Sequence, residues 1–219
     1  MHIHAHDSLH GLVYIDQAII VINKPAGLLS VPGKGEDKQD CLSRCVQEVY
    51  NDACIVHRLD MATSGLILMA RGKNNQTLLS KLFEQRQIQK TYLAWVTGSP
   101  AQDNASIELP LMPDWPMRPK QKVDLQQGKY SLTHYRVLKR KPAPQQTLLE
   151  IEPYTGRSHQ IRVHLNAIGH PILGDTLYAP TEHVTPYSRL MLHAWKLAFK
   201  HPTTHEQISF ETPPEFDFA

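Results

Sequence analysis

Apolar residues in this chain come in short runs separated by turn formers, and the spacing within the runs changes along the sequence. Leu12 to Ile15 and then Ile19 to Ile22 predict two strands, residues 12–15 and 19–23, turned around Asp16 and Gln17. The continuous run LILMA at 66–70 is short enough for a buried strand. Alternation over 90–96 predicts another, ending at Gly98-Ser99-Pro100, and residues 130–138, 148–152, 190–199 and 207–211 add more. Elsewhere the spacing is helical. Leu42, Val46 and Val49 share one face of a helix for which Asp40 is the expected N-cap. Leu78, Leu79, Leu82 and Phe83 repeat at helical spacing over 74–87. Ile161, Leu165 and Ile168 follow Ser158 as cap, with Gly169 and Pro171 as the stop. Prolines 110, 113, 116 and 119 predict an irregular loop over 110–122. Strands outnumber helices and several neighbours are joined by short turns, which implies antiparallel pairing. The predicted class is α+β: a single domain around a mixed, mainly antiparallel β-sheet flanked by helices.

Composition changes this picture little. A chain of 219 residues, 41% hydrophobic and 20% charged, has the length for one large domain and the apolar content for a core. Its formal charge of +2 does not by itself mark a nucleic-acid binder. The distribution is more suggestive. Arg118, Lys120 and Lys122 form one basic cluster, Lys139, Arg140 and Lys141 another, while Glu211, Glu215 and Asp217 make the end acidic. A basic patch attracts phosphates even on a near-neutral protein, although composition alone suits a solvated loop equally well. No apolar stretch reaches the roughly 18–20 residues of a membrane-spanning helix. The N-terminus lacks the pattern of a secretory signal. Three cysteines argue against a disulfide framework and for a reducing cytoplasm.

Several chemistries fail on spacing. Residues 27–35 look faintly like a phosphate loop, but five residues rather than four separate Gly27 from Gly33, and Gly35 stands where a hydroxyl belongs. Neither a dinucleotide fingerprint nor a nucleophile elbow occurs. Cys41, Cys45, Cys54 and His57 nominally make a zinc set. Cys41 and Cys45, however, lie one helical turn apart beside an apolar face, where buried free cysteine is common. The alternation His2-His4-His6 is expected to belong to a flexible N-terminus, residues 1–11. The missing nucleotide motifs favour a reaction needing neither nucleotide nor redox cofactor, and for the cysteines structural packing is the better reading than metal.

The most informative string is HRLDMATSG, residues 57–65. Asp60 sits where the chain turns into the buried run 66–70, and a carboxylate there is costly unless paired or hydrogen-bonded. A turn aspartate served by Thr63 and Ser64 is the plain alternative. Two further segments stand out: KTY at 90–92, opening a strand, and GRSHQIRVHL at 156–165. Arg157 falls just before the expected helix cap, at the tip of the preceding strand, where an arginine can reach over a sheet end toward a carboxylate. Taken singly, Tyr92 suits a packing residue and Arg157 an exposed solubilising one.

Together these segments closely resemble the RluA family of pseudouridine synthases. NKPAGLLSVPG at 23–33 resembles its opening segment, HRLDMATSG its catalytic-aspartate motif, KTY its tyrosine motif, GRSHQIRVHL its arginine motif, and GHPILGD at 169–175 the segment that follows. The order is the family's, over residues 12 to about 210. PDWPMRPKQK at 113–122 looks like the RluA branch itself, the type acting on both rRNA and tRNA. The front is too short for the S4-like RNA-binding domain of many relatives, so the expected organisation is one catalytic domain over 12–219.

The resemblance implies an isomerase that detaches uracil at N1 and reattaches it at C5 within RNA, needing no cofactor, metal or energy source. It implies Asp60 as the catalytic carboxylate, Tyr92 stacking on a flipped-out uracil, and Arg157 as the partner favouring the ionised aspartate. Arg58 would fill the space the base leaves, and Arg118, Lys120 and Lys122 would meet the RNA backbone. The expected partner is an rRNA or tRNA stem-loop, with no membrane, no obligatory protein partner and a monomeric, cytoplasmic enzyme. Alternatives are a catalytically silent RNA-binding protein of the same fold and an RNA-acting glycosylase.

Overall fold

Asp16 sets the first turn: its carboxylate accepts the N–H of Ala18 at 2.7 Å and of Ile19 at 2.8 Å. Strand β1 (Leu12–Ile15) thereby folds back on β2 (Ile19–Lys24). The structure is a computed structural model and describes residues 11–216, so His2, His4, His6 and nearly all of the expected N-terminal tail lie outside the described residues. Helix α1 (Leu42–Val49), β3 (Ala53–Ile55), β4 (Ser64–Arg71) and α2 (Gly72–Glu84) follow. Then come β5 (Gln89–Thr97), β6 (Asn104–Glu108), β7 (Leu111–Pro113), β8 (Gln121–Val123), β9 (Leu132–Pro142) and β10 (Gln145–Pro153). Helix α3 (Gln160–Ala167), β11 (Leu192–Lys200) and β12 (Gln207–Glu211) complete the series.

The chain divides into two compact units. The first holds the described residues up to Lys90 together with Ala194–Pro214. In it β4 pairs antiparallel with β2 on one side and β3 on the other, while β11 pairs with β12. With both edges paired and both faces covered, β4 is buried from Ser64 to Ala70, which explains its uninterrupted apolar run. Ile19, Val21, Leu66, Leu68, Leu79 and Phe199 pack into one core. Each such side chain contributes about 1.5–3 kcal/mol on leaving water. The second unit holds Thr91–His193 and, of the remaining described residues, Glu215 and Phe216. There β10 pairs antiparallel with β5 and β9, β9 with β6, and β7 with β8 as a separate hairpin. The one parallel contact described within a unit is the isolated bridge Leu29↔Cys41. The architecture is α+β with a strand-rich sheet and few helices, as the spacing predicts.

Four local expectations are corrected. Cys41, not Asp40, is the N-cap of α1, and its side chain makes no capping bond. Two helical turns bury Leu42, Ser43, Cys45 and Val46, leaving Val49 at the frayed end 47% exposed. Helix α2 starts at Gly72 and stops at Glu84, with Leu79 inside and Leu78 exposed. Residues 110–122 are not irregular: β7 and β8 form a hairpin joined by a 3-10 turn, Trp115–Met117. Pro113 closes β7, and Pro116 and Pro119 lie in the connection, so these prolines shape the turn rather than interrupt a ladder. Ser158 does not cap α3. That place belongs to His159, in the left-handed conformation at φ 55°, and Ile168 lies one residue past the helix end.

Candidate active site

In the first unit, β3 ends at Ile55 and the chain crosses residues 56–63 before entering β4. This crossing carries Arg58 and Asp60. The buried Leu59 between them is 6% exposed, whereas Arg58 is exposed and Asp60 half-buried. The leucine thus anchors the loop, and its two neighbours are presented from it.

The loop is clasped by the segment Asn23 to Gly33. The Ser30 hydroxyl donates to Leu59 O at 2.7 Å and accepts the Leu59 N–H at 3.1 Å. Lys24 is fully buried, and its ammonium donates to Pro25 O (2.8 Å), Leu28 O (2.8 Å) and Met61 O (3.2 Å), one carbonyl for each N–H. The Gly27 N–H also reaches Met61 O, at 2.8 Å. Asp60 is therefore fixed on both sides, through Leu59 and through Met61. Thr63 N–H closes the turn on the main-chain oxygen of Asp60 at 3.1 Å.

His57 secures the loop at its start. Its Nε2 accepts the N–H of Leu68 in β4 at 2.8 Å, just past the last β3 pair, Ile55↔Met69, and its ring lies 4.5 Å from that of Phe83. Burial pushes the imidazole pKa down to about 3, with the nearby Lys90 cation adding to the shift. That nitrogen is committed to a backbone bond, and Cys41 at the cap of α1 and Cys45 within it are buried. Among the described residues no group of three or more metal-ligating side chains is assembled.

The second unit carries Tyr92 and Arg157. Tyr92 stands half-buried on β5 opposite Ile151 of β10. Arg157 is exposed in the loop after β10 rather than at the strand tip, and its Nε donates to Tyr130 O at 3.3 Å. Gln160, 4% exposed, shapes that loop. Its Oε1 accepts the Arg157 N–H (3.0 Å) and the Thr155 hydroxyl (2.7 Å), and its Nε2 donates to Leu132 O and Thr133 Oγ1. Next to it, His159 Nδ1 lies 2.7 Å from the Tyr178 hydroxyl, which also accepts the Gln121 N–H of β8 at 2.8 Å. Through this one phenol the arginine loop and the hairpin share an anchor. Behind Tyr178, Arg162 and Asp175 form a buried two-pronged pair at 2.8 and 2.6 Å.

The basic residues separate into two kinds. Arg118, Lys120 and Lys122 share the β7–β8 hairpin, with Arg118 stacked 3.6 Å from the Trp115 ring and Lys122 3.8 Å from Asp124. Arg140 of the other cluster is paired with Asp103 at 2.6 Å, and Lys141 lies 4.5 Å from the Trp95 ring. Two of the three residues of that second cluster are thus engaged within their own unit.

Sequence reasoning singled out Asp60, Arg58, Tyr92 and Arg157 but missed Lys24, Ser30, His57 and Gln160 as the groups that fix their loops. The signal available for the first two was the string NKPAGLLSVPG, although composition says nothing of where its side chains point.

Residues 18–167 match the RNA pseudouridylate synthase family. The chain is 47% identical over 205 residues to "Dual-specificity RNA pseudouridine synthase RluA" of Vibrio cholerae, covering 94% of this chain and 83% of that one. It is 44% identical to the Escherichia coli protein of the same name, covering 94% and 93%. Among solved structures, "Human RNA Pseudouridylate Synthase Domain Containing 1" superposes with a TM-score of 0.78 at 28% identity, covering 94% of this chain and 84% of that chain.

Proposed function

This chain belongs to the RNA pseudouridylate synthase family, and we propose that it isomerises a flipped-out uridine with Asp60 as the catalytic carboxylate. It is an isomerase acting on RNA. In this reaction the N1–C1′ bond breaks, the base turns, and a C5–C1′ bond forms; the C5 hydrogen leaves to solvent and N1 gains a proton. The leaving base is also the incoming nucleophile, so the chemistry asks the protein mainly for position and charge.

The observation that carries the assignment is the clasp around Asp60: buried Leu59 held by Ser30, and Met61 held by Lys24 and Gly27. A carboxylate locked on both sides is preorganised for attack on the ribose or for removing a proton from it. In the same proposal Tyr92 stacks on the extruded uracil, a contact worth about 1–3 kcal/mol. Arg157 is proposed, from the resemblance of its motif, as the charge partner of the Asp60 carboxylate. Arg58 fills the gap left by the base. Extrusion from a stack costs a few kcal/mol, which these contacts offset.

The relatives described as dual-specificity support a range of more than one RNA; the two we propose, from the resemblance of the motifs, are a tRNA anticodon stem-loop and a hairpin of large-subunit rRNA, and we take the enzyme to be a monomer. Mapping pseudouridine in a deletion strain by carbodiimide-stopped primer extension tests the range, and sedimentation tests the monomer. The chemistry is tested with RNA tritiated at uridine C5. Wild-type protein is expected to release label into water and Asp60→Asn to release none. Labelled free uracil would mean a glycosylase, and unchanged RNA a silent binder.

A further inference from the structure

We propose that the indole of Trp115 is a stacking platform for one unpaired nucleobase of the bound RNA, outside the group of residues that handles the target uridine. The inference rests on the reading that this chain acts on RNA.

Trp115 is 60% exposed at the tip of the β7–β8 hairpin, with Met117 beside it at 55%. Trp95, by contrast, is 4% exposed. Two large apolar side chains left exposed within one short turn make the kind of surface that marks an interaction site.

The tip is built rather than loose. Met117 N–H bonds Asp114 O, Lys120 N–H bonds Met117 O and Asp114 N–H bonds Lys120 O, each at 3.0 Å. Below them Gln121 N–H reaches the Tyr178 hydroxyl at 2.8 Å, tying the hairpin to the rest of its unit. A platform held this way loses little freedom on binding.

Charge selects the occupant. The Arg118 guanidinium lies 3.6 Å over the indole and covers one ring face. Stacking uses the flat face of a guanidinium and leaves its edge N–H groups for hydrogen bonds, which suit phosphate. Lys120 and Lys122 follow on the same hairpin; the acids beside them are Asp114 and Asp124, the latter 3.8 Å from Lys122. A flat apolar ring edged by a phosphate fork matches a nucleotide. A base inside a duplex has both faces occupied by neighbours, so the nucleotide must be unpaired, as in a loop.

The test uses the full chain carrying Asp60→Asn, so that bound RNA is not turned over, and two labelled RNAs: a stem-loop, and the same stem as a blunt duplex. Trp115→Ala is expected to weaken stem-loop binding about 5- to 150-fold while leaving duplex binding unchanged. Trp115→Phe, which keeps a ring, is expected to lose less affinity but to remove most of the indole quenching that stem-loop RNA causes. Equal weakening toward both RNAs, or no weakening, overturns the proposal. So does a change in the sedimentation mass of RNA-free Trp115→Ala protein, which would make the indole a contact between copies. Tritium release by wild-type protein, run in parallel, keeps the outcomes apart: intact release with unaltered Trp115→Ala binding sinks only the platform.

Discussion

The imidazole of His57 accepts the N–H of Leu68 at 2.8 Å and so must be neutral in the folded protein. A protonated ring would set N–H against N–H. Burial, helped by the Lys90 cation, holds its pKa at about 3, against about 6.5 in an unfolded chain. Above pH 6.5 neither state carries the proton; between that value and about 3 the unfolded chain binds it and the folded one does not. Stability is therefore expected to fall as pH drops through this window, by up to about 1.4 kcal/mol per pH unit from this group. Urea unfolding between about pH 7 and pH 5 checks it, with His57→Gln expected to have a shallower dependence by one proton.

Arg162 and Asp175 are 4% and 1% exposed in side chain, and their pair is two-pronged. Asp175→Asn strands a buried guanidinium, and a loss of about 3–5 kcal/mol is expected. Replacing both partners with apolar residues is expected to cost less. It will not be neutral, because Asp175 Oδ1 also accepts the N–H groups of Leu177 and Tyr178. Thermal unfolding of the single and double variants gives the comparison.

Gly65 opens onto the strand after Asp60 with φ +109°, and a Cβ there would meet Ala194 O at 2.3 Å. Strain and overlap act together in Gly65→Ala, and about 2–5 kcal/mol of destabilisation is expected. Where the variant still folds, its rate constant for label release should drop more than its affinity for RNA, because the shift arises beside the carboxylate. A chemical rate equal to wild type would separate Gly65 from the site.

RNA affinity is expected to fall steeply with salt, because released counterions drive the binding of phosphates. Neutralising Arg118, Lys120 and Lys122 together should reduce the slope of log affinity against log salt by about 0.7–0.9 for each RNA phosphate these residues would otherwise neutralise. An unchanged slope would leave the cluster as a solvated turn. The Lys139, Arg140 and Lys141 group serves as a control, since Arg140 is already paired with Asp103.

Much of the fold was legible from residue order. The apolar run 66–70 had to be a strand covered on both faces, and the structure shows it paired on both edges. HRLDMATSG drew attention to Asp60 because a carboxylate at that turn needs a reason, but on residue chemistry alone a turn aspartate was the better reading, and its catalytic assignment comes from the family resemblance. Periodicity failed where single side chains decide. Asp40 looked like a cap but lies one residue before Cys41, and the 110–122 segment hid a hairpin because its prolines fall at strand ends and in the turn. The roles of Lys24, Ser30 and Gln160 were illegible for another reason: their partners lie up to 37 residues away and are mostly main-chain atoms, which leave no trace in composition.

Lys24 also makes the loop's own motion measurable. Its amine is fully buried against three carbonyls, one of them on Met61, so an acylating reagent reaches it only when the clasp around Asp60 lets go. Against exposed lysines such as Lys73 in the same molecule, the labelling rate at Lys24 becomes a clock for that opening, readable by mass spectrometry of the intact protein's peptides. Bound RNA that needs the loop closed should slow the clock.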